Sequence, residues 1–237
     1  MAQADWNDLS SPALDTSKVH RGVSTAFTPP SGGGSFIYAF KSLDTSTGVA
    51  GEYCKVSGAA PIPGTKKGGR MSAAIKRYSA GTGYAPFFGL MAGTNVQTSY
   101  GYFLGLSNDS SYKICLKKGL ISAGLKEGDS DVLRKSTQGY TDSGDGTSGW
   151  FHLRLDVLVN PHGEVILSVK RNTGSVTSPS WASIDGMDDY TDDANGILTG
   201  SLPYLQGFYF VFGHYTEGSS GATSFVDHIE CFKQINP

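Results

Sequence analysis

Several things are scarce in this chain of 237 residues, and each scarcity closes a route to function. Cysteine occurs three times, as Cys54, Cys115 and Cys231, an odd and widely spaced set that fits neither a disulfide framework nor paired C-x-x-C metal knuckles. Each lies in an alternating strand pattern, so unpaired thiols buried in strands are expected. Charged residues make up 17%, below the usual share of about 25%, and the formal net charge of -2 supplies no basic field for nucleic acid. The densest cationic spot, Lys66-Lys67-Gly68-Gly69-Arg70, reads as a solvated loop. No run approaches about 18 apolar residues, so no membrane span is expected. The start, Met1-Ala2-Gln3-Ala4-Asp5-Trp6, shows no secretory signal. Gly32-Gly33-Gly34 lacks P-loop spacing, and no Gly-x-Ser-x-Gly elbow surrounds Ser219 and Ser220.

Glycine, by contrast, is abundant at 32 residues, as expected where many short strands each need a turn. A hydrophobic fraction of 38% with 11% aromatics is enough to fill a core. The first 34 residues are polar and end in Thr28-Pro29-Pro30-Ser31-Gly32-Gly33-Gly34, which breaks regular structure. Residues 1–34 are therefore expected to form an arm and hinge, with Trp6 and Leu9 as contacts to a partner, and residues 35–237 one β-sandwich domain.

Strand signatures follow the hinge at short intervals: Phe36 to Phe40, Glu52 to Val56, Arg70 to Tyr78, Pro86 to Met91, Tyr100 to Leu106 and Tyr112 to Lys117. The clearest pair comes later. In Trp150 to Val159, the residues Phe151, Leu153, Leu155, Val157 and Val159 share one face, with His152, Arg154 and Asp156 on the other. Asn160-Pro161-His162-Gly163 turns the chain, and Glu164 to Lys170 returns with Val165, Leu167 and Val169 on a face, a β-hairpin. The acidic stretch Asp185 to Asn195 lacks apolar periodicity and is expected to be a surface loop. Gly207 to Tyr215 and Thr223 to Phe232 are expected to be the last two strands.

The succession of Phe87-Phe88-Gly89-Leu90, Tyr102-Phe103-Leu104-Gly105-Leu106, Tyr112-Lys113-Ile114-Cys115-Leu116, Trp150-Phe151-His152-Leu153-Arg154-Leu155-Asp156-Val157, Gly207-Phe208-Tyr209-Phe210-Val211-Phe212-Gly213 and Phe225-Val226-Asp227-His228-Ile229-Glu230 resembles the strand series of concanavalin A-like lectin/glucanase domains. The resemblance spans residues 36–234 and implies an all-β fold, an antiparallel two-sheet jelly-roll sandwich. The polar, hinge-separated arm also resembles those of accessory virion proteins of tailed bacteriophages, several of which use this fold.

Glycosidases of this fold resemble one another in a strand bearing Glu-x-Asp-x-x-Glu or a close variant, and the nearest arrangement here is Asp227 with Glu230. Their spacing of three places them on opposite faces of a regular strand, which argues against a carboxylate pair. The polar residues His152, Arg154, Asp156, His228 and Glu230 read as a solvated outer sheet face. Calcium is the one cofactor with candidate ligands: Asp142 and Asp145 in one loop, and Asp188, Asp189, Asp192 and Asp193 in the acidic stretch. Tyr84, Tyr100, Trp181, Tyr190 and Tyr215, in or near loops, are candidates to stack on sugar rings. The expectation is a non-enzymatic virion decoration protein, located in the virion, with other virion subunits as partners and neither nucleic acid nor membrane. A glycan-binding lectin module for cell-surface adhesion is the alternative, and a divergent polysaccharide hydrolase the third.

Overall fold

The computed structural model describes residues 7–8, 19–22, 37–41, 47–55, 67–77, 82–93, 98–140, 149–159, 164–193, 209–217 and 223–235. Their regular structure is almost entirely β. In chain order the strands are β1 (Asn7–Asp8), β2 (Val19–Gly22), β3 (Ile37–Lys41), β4 (Thr47–Lys55), β5 (Lys67–Arg77), β6 (Tyr84–Met91), β7 (Tyr100–Leu106) and β8 (Lys113–Leu120). They continue as β9 (Val132–Gly139), β10 (Phe151–Val159), β11 (Val165–Asn172), β12 (Trp181–Ala182), β13 (Tyr190–Asp192), β14 (Tyr209–Glu217) and β15 (Thr223–Ile235). A seven-stranded sheet runs β1-β4-β14-β6-β7-β8-β9, and an eight-stranded sheet runs β12-β11-β10-β5-β15-β3-β2 with β13 added on β11. All these pairings are antiparallel.

The main core lies between the sheets. From the eight-stranded sheet, Phe151, Leu153, Leu155 and Val157 of β10 and Val165, Leu167 and Val169 of β11 meet Phe88, Leu90, Tyr102, Leu104, Phe210 and Phe212 of the other sheet. This is the face that alternation in the sequence assigned to the core, and the hairpin pairs Val159 with Val165 as expected. Cys115 and Cys231 are free thiols within strands, and Cys54 lies on β4. The turn at 160–163 lies outside the described residues.

The seven-stranded sheet departs from simple alternation because its middle strands are covered on both faces. Every residue of β6 is buried. Val49, Ala85, Phe87, Phe103, Cys115, Val211 and Tyr215 form a second apolar cluster on the outer face, closed by Ile121 and Leu125 from the segment after β8. Lys117 ties that segment down: its buried Nζ donates to the Gly124 carbonyl at 2.9 Å and lies 3.0 Å from Asp131 Oδ2.

Two expectations need correction. Residues within 1–34 do not all stand apart from the sandwich: β1 pairs with β4 and β2 with β3, because the sheet edges offer unpaired backbone groups. The rest of that segment, with Trp6 and Leu9, lies outside the described residues. The acidic stretch is not wholly a surface loop either. Ile184 and Met187 enter the main core, the turn between them has Gly186 at φ +83, and the Thr137 N–H donates to the Asp185 carbonyl at 2.8 Å. Tyr190 to Asp192 then pair with β11.

Asp192 is 1% exposed and bonded between the sheets: Lys118 Nζ lies 2.6 Å from its Oδ2, and the Tyr102 hydroxyl donates to the same oxygen at 2.6 Å. It is a buried anchor, not a solvated calcium ligand. Removing one partner of such a pair leaves an uncompensated buried charge, so Asp192→Ala is expected to lower stability by about 3 to 5 kcal/mol. Leu155→Ala, which empties a fully buried core position, is expected to cost about 2 to 5 kcal/mol. Urea unfolding followed by tryptophan fluorescence measures both.

Candidate functional site

The outer face of the eight-stranded sheet carries polar residues of both charge signs, and sheet register explains why they meet. On β10, His152, Arg154 and Asp156 alternate with the core residues; on β5 they lie opposite Ala74, Ser72 and Arg70. On β11, Lys170 and Ser168 lie opposite Arg154 and Asp156, the Asn172 side chain reaches His152 Nδ1 at 3.0 Å, and Trp181 of β12 lies opposite Asn172. These residues therefore share one face.

Strand β15 joins that face through an irregularity. Asp227 pairs with Ala74, but the next paired residue, Glu230, meets Ser72, so three steps on β15 match two on β5. The extra residue is His228, at φ 47, a left-handed conformation that histidine adopts more readily than most residues. The cause is the core. Val226 is buried in it and Ile229 packs against it; a spacing of three cannot serve one face of a regular strand. The bulge absorbs the mismatch and puts Asp227 and Glu230 on the same face. The opposite-face expectation for this pair was wrong for that reason.

The side chains form two connected groups. Arg70 Nε donates to Asp156 Oδ1 at 2.5 Å, and Arg154 Nε lies 2.8 Å from Asp156 Oδ2, at ion-pair distance but outside hydrogen-bond geometry. The Arg154 guanidinium also sits 5.0 Å from the centre of the Trp181 ring. Trp181 in turn meets the His152 ring at 4.8 Å between centres, and His152 meets His228 at 5.5 Å, nearly perpendicular. His228 Nε2 is 3.5 Å from Glu230 Oε1, while the Ser72 hydroxyl donates to Glu230 Oε2 at 3.3 Å.

Several buried polar atoms here lack a hydrogen-bond partner, notably His152 Nε2 and Asp227 Oδ2. Buried polar groups are normally paired, so each of these atoms calls for an explanation. Burial, helped by His228, pushes the His152 pKa down to about 4. Burial raises that of Asp227, against a smaller opposing effect from the His228 backbone N–H. The histidine is neutral near pH 7, and the carboxyl takes a proton more readily than an ordinary aspartate.

The other candidates scatter. Tyr84 and Tyr215 are buried at 2% and 3%, since the seven-stranded sheet is covered on both sides, so neither offers a stacking surface. Tyr84 packs against His214 and Arg77, and Tyr215 belongs to the second apolar cluster. Tyr190 is half-buried with Arg134 over its ring at 4.7 Å, and Tyr100 is exposed but on the other sheet. Of the five aromatic candidates, Trp181 alone stands on the polar face. Asp142 and Asp145 lie outside the described residues, and Asp188, Asp189 and Asp193 are exposed. Among the described residues no three His, Cys, Asp or Glu side chains are grouped to hold a metal, and no helix is long and apolar enough to cross a membrane.

The buried histidines carry a pH dependence. Burial, with Arg77 nearby, pushes His214 down to about 3. An unfolded histidine takes up its proton near pH 6.5, whereas His152 does so at about 4 and His214 at about 3 in the fold. Between these values the unfolded chain binds more protons, so stability is full above about pH 6.5 and falls as the pH drops below it. Asp227, whose pKa is raised, acts in the opposite sense and at lower pH, near the carboxylate range. Urea midpoints are expected to fall from pH 7.5 to pH 5, and replacing His214 with Asn is expected to flatten that slope.

No family model and no curated protein matches the chain. Solved structures do. It is similar to the Emp47p carbohydrate recognition domain at 11% identity, covering 99% of this chain and 97% of that one, with a TM-score of 0.48. It is similar to a bifunctional GH43-CE protein of Bacteroides eggerthii at 9% identity and a TM-score of 0.53, covering 99% of this chain. It is also similar to an engineered GH43 glycoside hydrolase, described as having endo-xylanase and exo-arabinofuranosidase activity, at 12% identity and a TM-score of 0.54 over 99% of this chain. The matches cover only 24% and 39% of those two longer proteins. Likeness at such identities is one of fold, and that fold is the antiparallel two-sheet jelly-roll sandwich that the resemblance to concanavalin A-like domains implied.

Proposed function

We propose that the protein is a glycan-binding module whose site is the polar face of the eight-stranded sheet. Fold likeness does not carry this, since one fold hosts many functions. The observation that does is the pairing of Trp181 with buried, partnerless polar atoms of opposite hydrogen-bonding sense on the same face. A sugar presents hydroxyls that both donate and accept, together with an apolar ring face that stacks on an aromatic side chain. Arg154 and His152 hold the indole in place, so little side-chain freedom remains to be lost on binding.

Hydrolysis is a second reading, favoured by the bulge that puts Asp227 and Glu230 on one face and by the raised pKa of Asp227, which suits a general acid. The expected display on a virion through residues 1–34 is a separate proposal of location.

Binding is tested by calorimetry on hits from a glycan array. Trp181→Ala is expected to weaken binding by roughly tenfold, the effect of losing about 1.4 kcal/mol, while Tyr100→Ala on the other sheet leaves it unchanged. Unchanged binding in Trp181→Ala rejects the assignment. Release of reducing sugar that Asp227→Asn abolishes without loss of binding establishes the second reading.

A further inference from the structure

His152 has its hydrogen-bonding sense set by a neighbour. Asn172, 8% exposed at the end of β11, has its amide orientation fixed by the turn that follows. Its Oδ1 accepts the backbone N–H of Gly174 at 2.8 Å and of Ser180 at 2.7 Å, and only the oxygen end of the amide can do so. Its Nδ2 end therefore faces the Ser175 carbonyl at 2.8 Å, the Gly174 carbonyl at 3.2 Å and His152 Nδ1 at 3.0 Å. A donor against Nδ1 makes that nitrogen the acceptor, which leaves the proton of the neutral ring on Nε2. Nε2 is the atom that is buried without a partner in a side chain only 5% exposed.

Two strands away, beyond Ala74, Asp227 Oδ2 is buried without a partner and can only accept while ionised. Both arginines of the face are committed to Asp156. An anionic ligand would find both arginines already engaged and would meet the Asp227 and Glu230 carboxylates.

We propose that Asn172 is a positioning residue that fixes His152 as an Nε2–H donor to an uncharged saccharide hydroxyl, with Asp227 Oδ2 accepting from another hydroxyl of the same ligand. The ligand half of this rests on the glycan-binding reading; the tautomer half stands on hydrogen bonds within the free protein.

The test is a long-range proton–nitrogen NMR spectrum of the histidine rings, assigned with His152→Gln. In the free protein, His152 is expected as the Nε2–H tautomer from pH 5.5 to 8. Neutral xylo- or cello-oligosaccharides are expected to shift its Nε2 signal, and oligogalacturonates are not. Asn172→Asp, which puts an acceptor against Nδ1, is expected to move the proton to Nδ1, raise the ring's pKa and weaken neutral-sugar binding by about tenfold. Should that variant fail to fold, His152→Gln, whose amide nitrogen can stand in for Nε2–H, is expected to bind better than His152→Asn. An Nδ1–H ring in the native protein overturns the positioning role whether or not sugar binds. An Nε2–H ring that no saccharide shifts overturns the ligand half and the glycan reading with it, leaving the positioning role intact. A shift with oligogalacturonate alone overturns the uncharged assignment.

Discussion

Burial of one face of each sheet against the other is the constraint on which the rest of the molecule depends. A strand has a side-chain period of two, so once Leu153, Leu155 and Val157 are committed to the core, His152, Arg154 and Asp156 must point away from it. The same rule acts on β15, where Val226, Ile229 and Cys231 all reach the core but the first two stand at the wrong spacing. Inserting His228 as an extra residue lets both halves of the strand keep their apolar side chains inside. The functional consequence is a by-product of packing: two carboxylates and a histidine are delivered to the face that already carries His152 and Trp181.

The two sheets meet different requirements on their outer faces. The seven-stranded sheet covers its outer face with Ile121 and Leu125, secured by the Lys117 clasp, and among the described residues Tyr100 is the one large apolar side chain left exposed. The eight-stranded sheet leaves its outer face polar, with ion pairs and ring contacts holding the side chains in place. Between the sheets, Asp192, Lys118 and Tyr102 join β13 to the opposite layer, so the edge beside Trp181 is braced through the interior of the sandwich. A site built on strands and braced in this way keeps its geometry better than one carried on loops.

Much of the architecture was legible because alternation is strong wherever one face is apolar and the other polar. That condition holds for β10 and β11, and their faces followed from the residues directly. It fails for β6, buried on both sides, which is why Tyr84 and Tyr215 looked available for stacking when they are interior. It fails again for β9, a sheet edge rich in exposed polar residues, which carries no strand signature. Asp192 was hidden within an acidic run because its partners, Lys118 and Tyr102, come from strands distant in sequence. The bulge had a local signal that the spacing argument passed over: apolar Val226 and Ile229 fall out of phase, and only an extra residue lets both face inward. The clustering of Trp181, His152 and His228 depends on register across β12, β11, β10, β5 and β15, which no single segment encodes.

The central claim is that saccharide binds on the polar face of the eight-stranded sheet, and mapping backbone amide shifts during titration with a glycan-array hit tests it most directly. The account predicts that the largest changes fall at residues 152–156, 172, 181 and 227–230, with little change at 121–131 on the far side of the sandwich. Changes concentrated at 121–131, with residues 152–156 and 227–230 unmoved, would contradict it.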